Sequence, residues 1–394
     1  MQLEIHLLQS FPPANLNRDE NGMPKSTVFG GRPRARISSQ CQKRAARLYY
    51  HKYGELDSNL FAKRSKNWVS NISEQLIEKG TEKSKAETVA ACTISVFTEK
   101  NEAKGKVKSK ASKSKANKEG EQSDKSDTIL FLGNTEIQEI LEFLESNWTE
   151  VESSISGEKP AFSSNLIKGL KKIVNKDNKP GDIALFGRMM ANLPAAKIHA
   201  SVQVAHAISV HKLEQEFDFF TAVDELAKQG SAGADYLDEM GFNSSTYYRF
   251  SVLDTKQFIE NIGDKELAKP LAMAFAHAFI KAIPTGHQHQ CAHHTRPAAI
   301  MGVVRKGQPI SLVDAFEKPV RPYGESSLLD CAVKALDSHW KGMAEIYGEK
   351  DIQYKGVVIL PKLSENLTSL QDFKENSIEK LIEKAIAVAF AKED

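Results

Sequence analysis

The run Phe29–Tyr53, FGGRPRARISSQCQKRAARLYYHKY, constrains this chain more than any other stretch. Gly30–Gly31 marks a turn, and Arg32, Arg34 and Arg36 follow at alternate positions. In an extended segment such positions point to one side, so the three guanidinium groups are expected in one row. A helix is then expected. Ser39 with Gln42 three residues on fits a capping box, and good helix formers follow. On that helix Gln40, Lys43, Arg44 and Arg47 share one face. The amides and positive dipole end at Ser39–Gln40 suit a phosphate oxygen. No acidic residue interrupts Arg32 to Arg47, so the ion pairs of an ordinary solvated helix are missing. The paired glycines let a ligand approach the main chain, and arginine favours two-pronged contact with phosphate. The stretch reads as a track for a polyanion backbone. The alternative is a solvated basic face without a partner.

Charge distribution supports the first reading. The formal net charge is only +2, yet residues 1–50 hold eight Lys/Arg against three Asp/Glu, and residues 99–127 hold nine Lys against six acids. Positive charge is thus gathered on particular segments, as in proteins that hold nucleic acid locally. Cys41, Cys92, Cys291 and Cys331 form no CxxC pair, which reads as reduced and intracellular. No signal peptide or membrane-length apolar run is visible, so a cytoplasmic location is expected.

Along the chain, Leu3, Ile5 and Leu7 alternate with polar neighbours in a first strand that stops at Phe11-Pro12-Pro13. The polar loop NLNRDENGMPK places Arg18 and Lys25 where they extend the basic track. Helical patterns follow from about Ser58 to Trp148, interrupted by a Lys/Ser-rich segment, 99–127, with nothing to bury and expected to be disordered. After another helix, SSNLIKGLKKIV, comes a β-like run from His199 to His211, then a Gly- and aromatic-rich excursion. A strand returns at Thr246–Leu253, followed by a helix at about Lys265–Ala282 and a strand at Ala298–Val304. The core order is strand, helix, strand, strand, helix, strand, which is ferredoxin-like or RRM-like. The expected class is α+β. TYYRFSVL is not an RNP1-type run, so RNA binding is expected on the basic helix and loops, not by stacking over the sheet.

These residues form a familiar series. LLQSFPPANLNRDENGMPKSTVFGGRPRARISSQCQKRAAR resembles the N-terminus of the CasC family, the crRNA-binding backbone subunit of the type I-E CRISPR Cascade complex. ALFGRM, AHAISVH, FFTAVDEL, GSA and DAFEKPV follow in matching order, so the resemblance spans nearly the whole chain. It is weakest in the Lys/Ser-rich loop and after Tyr347. It implies a modified RRM palm, helical fingers and an extended thumb, here 1–57 (palm, N-terminal part), 58–182 (fingers), 183–212 (palm), 213–245 (thumb) and 246–394 (palm and C-terminal helices). It further implies copies assembled along one crRNA as a filament, with phosphates held regardless of sequence and the guide kinked at intervals so that it pairs with target DNA. The implied partners are crRNA, target DNA through the guide, further copies of the chain and the other Cascade subunits (large, small, 5′-handle-capping and crRNA endoribonuclease). Neither a membrane partner nor a cofactor is implied.

Carried onto this sequence, the phosphate-holding positions are Arg18, Lys25, Ser38, Gln40, Lys43 and Arg47, with Arg44 beside them, and Arg34 and Arg36 join them from the arginine row. Met189 matches the position that wedges at the kinked base, and Phe219, Phe220 and Thr221 match the thumb tip. Without the resemblance, core packing is the plainer reading of these four. GHQHQCAHH places His287, His289, Cys291 and His293 on one side of an expected strand, a possible zinc arrangement. The preferred reading of that segment is RNA- or neighbour-facing, with Arg296 as its permanent charge, and no metal. No Walker loop, nucleophile triad or paired-carboxylate signature is recognisable. A non-catalytic role is expected, and the alternative is an endoribonuclease using His206 or His293 as general base.

Overall fold

The computed structural model describes residues 1–98, 128–190, 192–222 and 236–391. The expected disordered loop 99–127 and residues 223–235 of the expected thumb lie outside them. In chain order the elements begin with β1 (Gln2–Ala14), β2 (Ser26–Phe29), β3 (Arg32–Ile37) and α1 (Ser39–Tyr53). Next come β4 (Ala62–Ser65), α2 (Trp68–Glu78), α3 (Lys83–Thr98), β5 (Leu130–Gly133), α4 (Asn134–Ser146), α5 (Trp148–Ile155), α6 (Ser164–Val174) and α7 (Gly181–Phe186). They are followed by β6 (Val202–Val204), β7 (Ala207–Ser209), β8 (Glu216–Ala222), β9 (Tyr236–Asp254), α8 (Thr255–Ile262), α9 (Lys265–Lys281) and α10 (Gln288–Cys291). The last are β10 (Ala299–Arg305), α11 (Leu328–Tyr347), β11 (Ile352–Ile359) and α12 (Ile378–Ala389). Among the described residues no helix is long and apolar enough to cross a membrane.

Two compact units divide these elements. The first comprises Met1–Glu55, Val202–Lys256 and Lys269–Asp394. Its sheet runs β11-β10-β1-β9-β7-β3-β2, and every pairing within it is antiparallel. The inner four strands, β10-β1-β9-β7, are the fourth, first, third and second strands of the expected strand–helix–strand–strand–helix–strand series. The order is that of the ferredoxin-like fold. β11 extends one edge and the β2–β3 hairpin the other. β8 pairs with the outer half of β9 as a two-stranded arm, the place expected for the thumb.

Both faces of this sheet are covered, which an alternating β1 does not announce. On one face Leu8, Tyr248, Phe250, Met301 and Val303 pack beneath Leu312, Phe316 and the α11 residues Val333, Leu336 and Trp340. Glu4 and His6 lie on that face too, and both are buried. Glu4 accepts from Arg305 Nε at 2.8 Å, and His6 Nδ1 meets the Tyr248 hydroxyl at 2.8 Å. Burial alone would raise the Glu4 carboxyl, but His6 and Arg305 outweigh it and hold it below the usual range. On the opposite face α12 seats Leu381 against Gly302, and Arg249 meets α1 and α9.

The second unit comprises Leu56–Ser201 and Gln257–Ala268. Its core joins Trp68, Ile72 and Leu76 of α2, Val89 and Phe97 of α3, Ile140 and Leu144 of α4, and Leu166 and Leu170 of α6. Trp68 Nε1 donates to the Leu130 carbonyl at 3.1 Å, which satisfies the indole where it is buried. Residues 183–201, expected with the palm sheet, fall in this helical unit. The cause is packing: Ile183 clusters with Ala62 and Phe131, while Met190, Leu193 and Ala196 enter the helical core.

Candidate nucleic-acid interface

The basic stretch folds as a hairpin followed by a helix. Phe29 pairs with Arg32 across a two-residue turn, and Gly30 and Gly31 both have positive φ, 57° and 67°. Such turns match the twist of the strands they join, and glycine enters them without strain. At Gly30 the close approach is made by the chain itself. A Cβ there would run into the carbonyl of Glu317, so Gly30 is not open to a ligand as expected, while Gly31 has open space beside it.

That contact explains what becomes of the arginine row. Arg34 is 0% exposed. Its Nη1 donates to the Ser209 carbonyl at 2.8 Å, and its Nη2 donates to the carbonyls of Phe316 and Glu317 at 2.7 and 2.8 Å. The guanidinium lies 5.6 Å from the centre of the Phe29 ring. Arg32 is exposed and Arg36 half-buried, so the expected row of three is broken at its centre. Arg34 faces no solvent from which a phosphate would arrive.

Helix α1 begins one residue earlier than the capping pattern suggested. The cap is Ser38, whose Oγ accepts from the Cys41 amide at 3.3 Å, and the Ser38 amide donates to Asn17 Oδ1 at 2.8 Å. Ser38, expected to hold a phosphate, is buried and its Oγ caps the helix. Gln42 is no capping-box partner. It donates to the Ala205 carbonyl at 2.8 Å and accepts from Arg249 Nε at 3.2 Å, while Arg249 Nη1 donates to Gln9 at 2.6 Å and its Nη2 to the Phe279 carbonyl at 2.8 Å. Burial pushes Arg249 down to about 10, still charged at neutral pH. One buried arginine therefore fixes α1 against β1 and α9. With Ala45, Ala46 and Tyr50 buried beneath it, the helix turns Gln40, Lys43, Arg44 and Arg47 outward or to its rim.

The loop 15–25 is built as tightly. Asp19 Oδ1 accepts from the amides of Asn21 and Met23 at 2.9 and 3.0 Å, and the Asn15 amide nitrogen donates to the Gly22 and Gly241 carbonyls, both at 2.9 Å. Lys25 bonds main chain to main chain with Asn17 and with Arg36. These ties bring the exposed cations together. Arg18 and Arg44 line one open cavity of about 700 Å³ with Asp19, Glu20, Cys41 and His287. Burial raises the Cys41 thiol, and the charges of Arg44, Lys25 and Arg249 pull against that rise. Arg36 Nη1 lies 3.3 Å from His206 Nδ1. Partial burial, with Arg36 and Lys25 adding to it, lowers His206, so that imidazole is neutral at physiological pH.

Of the other candidates, only His287 shares that cavity among the described residues. Arg296 is exposed, with Nη1 on the Lys281 carbonyl at 2.6 Å. The histidine segment is not a strand. Gln288–Cys291 is a short helical turn flanked by His287 and Ala292 at positive φ, 50° and 44°, so His287, His289, Cys291 and His293 do not alternate along one side. His293 is buried with Nε2 on the Pro284 carbonyl at 2.9 Å, beyond reach of an RNA. Phe219 stands on β8, 65% exposed, and Phe220 and Thr221 continue that strand. Met189 belongs to the helical unit and is 83% exposed, the opposite of core packing. Asn17 and the buried Arg249, absent from the expected site, also hold the track, and Gln42, expected as a capping partner, ties α1 to Arg249 instead. The asparagine pair in NLN was the visible signal for the first of them.

Comparison with known proteins gives a consistent picture. A protein-family profile described as CT1975-like protein matches residues 3–384. A chain of a CRISPR RNA-guided surveillance complex, described as pre-nicking, superposes with a TM-score of 0.83 and 28% identity, covering 99% of this chain and 100% of that one. A chain of another CRISPR RNA-guided surveillance complex superposes with a TM-score of 0.74 and 24% identity, covering 98% and 99%. The second likeness speaks for the fold alone. No curated protein matches the chain.

Proposed function

The chain belongs to the CT1975-like protein family, and on that premise we propose that it is a non-catalytic crRNA-binding backbone subunit of a CRISPR surveillance complex of the type I-E Cascade kind. Copies polymerise along one guide in the cytoplasm. They hold its phosphates and kink it at intervals so that the stretches between kinks pair with target DNA. The remaining Cascade subunits cap and flank the filament.

One observation carries the reading. Arg18, Lys25, Arg36 and Arg44 converge from a loop, a strand end and a helix start, while the aromatic face of the sheet is closed by α11. Closure removes the platform on which an RRM stacks bases. What stays open is a set of cations suited to phosphate and indifferent to base identity. The helix N-terminus beside Gln40 adds main-chain donors and a favourable dipole. Met189 and Phe219, exposed and apolar, are suited to replace base–base stacking at a kink.

The exposed, neutral His206 beside Arg36 favours a second reading, an endoribonuclease with His206 as general base. Guide RNA recovered uncut argues for the binder, and RNA cut at one phosphate argues for the nuclease.

The backbone reading is tested by Lys43→Ala with Arg47→Ala. Affinity should fall by a similar factor for guides of unrelated sequence. The salt dependence of log K should flatten by ~1.4, since each phosphate contact on a single strand contributes ~0.7. A loss confined to one guide sequence would contradict backbone recognition.

A further inference from the structure

Met189 stands in solvent between two residues fixed inward. On one side, Arg188 exchanges main-chain hydrogen bonds with Ile198 at 3.0 and 2.9 Å. Gly187, just before it, has φ 74°, and a Cβ there would press within 2.9 Å of the Ile198 carbonyl and the Ala200 amide. On the other side, Met190 is buried in the helical core. The neighbours of Met189 thus have little freedom.

The Arg188 side chain explains the rest. Its Nη1 meets both carboxylate oxygens of Glu136 at 2.7 and 2.8 Å. Its Nη2 donates to the Val174 carbonyl at 2.8 Å and its Nε to the Ala196 carbonyl at 3.1 Å. Lys179 Nζ donates to the same Val174 carbonyl at 2.7 Å and lies 3.8 Å from Glu136. Glu136 also accepts the Gly133 amide at 2.9 Å. All three charged side chains are buried. A cluster of this kind is a poor source of stability, because desolvation offsets the Coulomb attraction and apolar residues of equal volume often do as well. What a guanidinium fork gives that apolar packing does not is a fixed direction.

We propose that Arg188, Glu136 and Lys179 form a buried charge cluster that aims Met189 outward, so that they are positioning residues for the guide-kinking wedge. The inference rests on the wedge role given to Met189 under the proposed function. It goes beyond that role by assigning the wedge's direction to groups that never touch RNA. The cluster draws its parts from the start of α4, the end of α6, the loop before α7 and the turn after it, so the wedge is set by four segments of one unit.

The test is nuclease footprinting of the full-length protein assembled on a crRNA. Met189→Ala is the control arm and should weaken the regular spacing of protection without erasing it, which leaves room for a second variant to add to the loss. Arg188→Lys keeps the charge and loses the fork. It should disturb the spacing as Met189→Ala does, with the salt slope of binding unchanged. The double variant should add nothing further, a non-additivity that a merely structural role does not produce. Lys179→Met, which leaves the chain beside Met189 untouched, serves as the second cluster variant. Regular spacing in the cluster variants, or additive effects in the cycle, would overturn the proposal. Failure of both variants to fold would overturn it too, because the cluster would then serve the stability of the unit. If Met189→Ala itself leaves the spacing regular, the wedge role has failed, an outcome distinct from the failure of the cluster to aim it.

Discussion

Arg32, Arg34 and Arg36 are chemically alike and stand at alternate positions of one strand, yet they meet different fates. The middle one is covered because Phe316 and Glu317 lay their carbonyls over it from 282 and 283 residues away. Local pattern reads which side of a strand a residue occupies. It does not read what a distant segment places on that side. Arg34→Met should therefore lower stability by ~3 kcal/mol, since three carbonyls, two of them in buried bonds, lose their donor. The salt slope of RNA binding by the folded variant should stay at the wild-type value. A slope flatter by ~0.7 would mean that Arg34 meets a phosphate after all. Ser38 repeats the lesson, because its hydroxyl and amide are engaged within the fold before any ligand arrives.

At the scale of elements, strong local chemistry was legible. The paired glycines specify a two-residue hairpin because both positions need positive φ. α11 spans Leu328–Tyr347 as its apolar spacing suggests, capped by Ser327 with Asp330 returning the bond. The start of α1 was misplaced by one residue because Ser38 and Ser39 are both competent caps, and the choice fell to Asn17, which holds the Ser38 amide. The histidine segment failed as a strand because period-two spacing of polar residues carries no apolar face to bury. Gly30→Ala tests the hairpin. It forces a Cβ into the Glu317 carbonyl at positive φ, and should cost ~2 kcal/mol in stability. It should also speed proteolysis near residue 30. Unchanged thermal unfolding would show that the turn tolerates a side chain and that the docking of Glu317 is loose.

For the whole molecule, the ferredoxin-like order was legible because it needs only the types of six elements in sequence, and each carried its own period. The division into units was less so. Residues 183–201 lie between the helix pattern SSNLIKGLKKIV and the strand-like run that begins at His199, and their packing, not their pattern, joins them to the helical unit. The closing of one sheet face by α11 was anticipated only indirectly, from a β9 sequence unlike a stacking strand, while the covering residues come from beyond position 310. The central claim is that many copies hold one guide by its backbone and leave it intact. The most direct measurement is the mass of the protein co-expressed with a crRNA, joined to a nuclease footprint of that RNA. The account predicts several protein copies on each RNA, protection at a regular interval and uncut RNA. A single copy on cleaved RNA would contradict it and make His206 the residue to pursue.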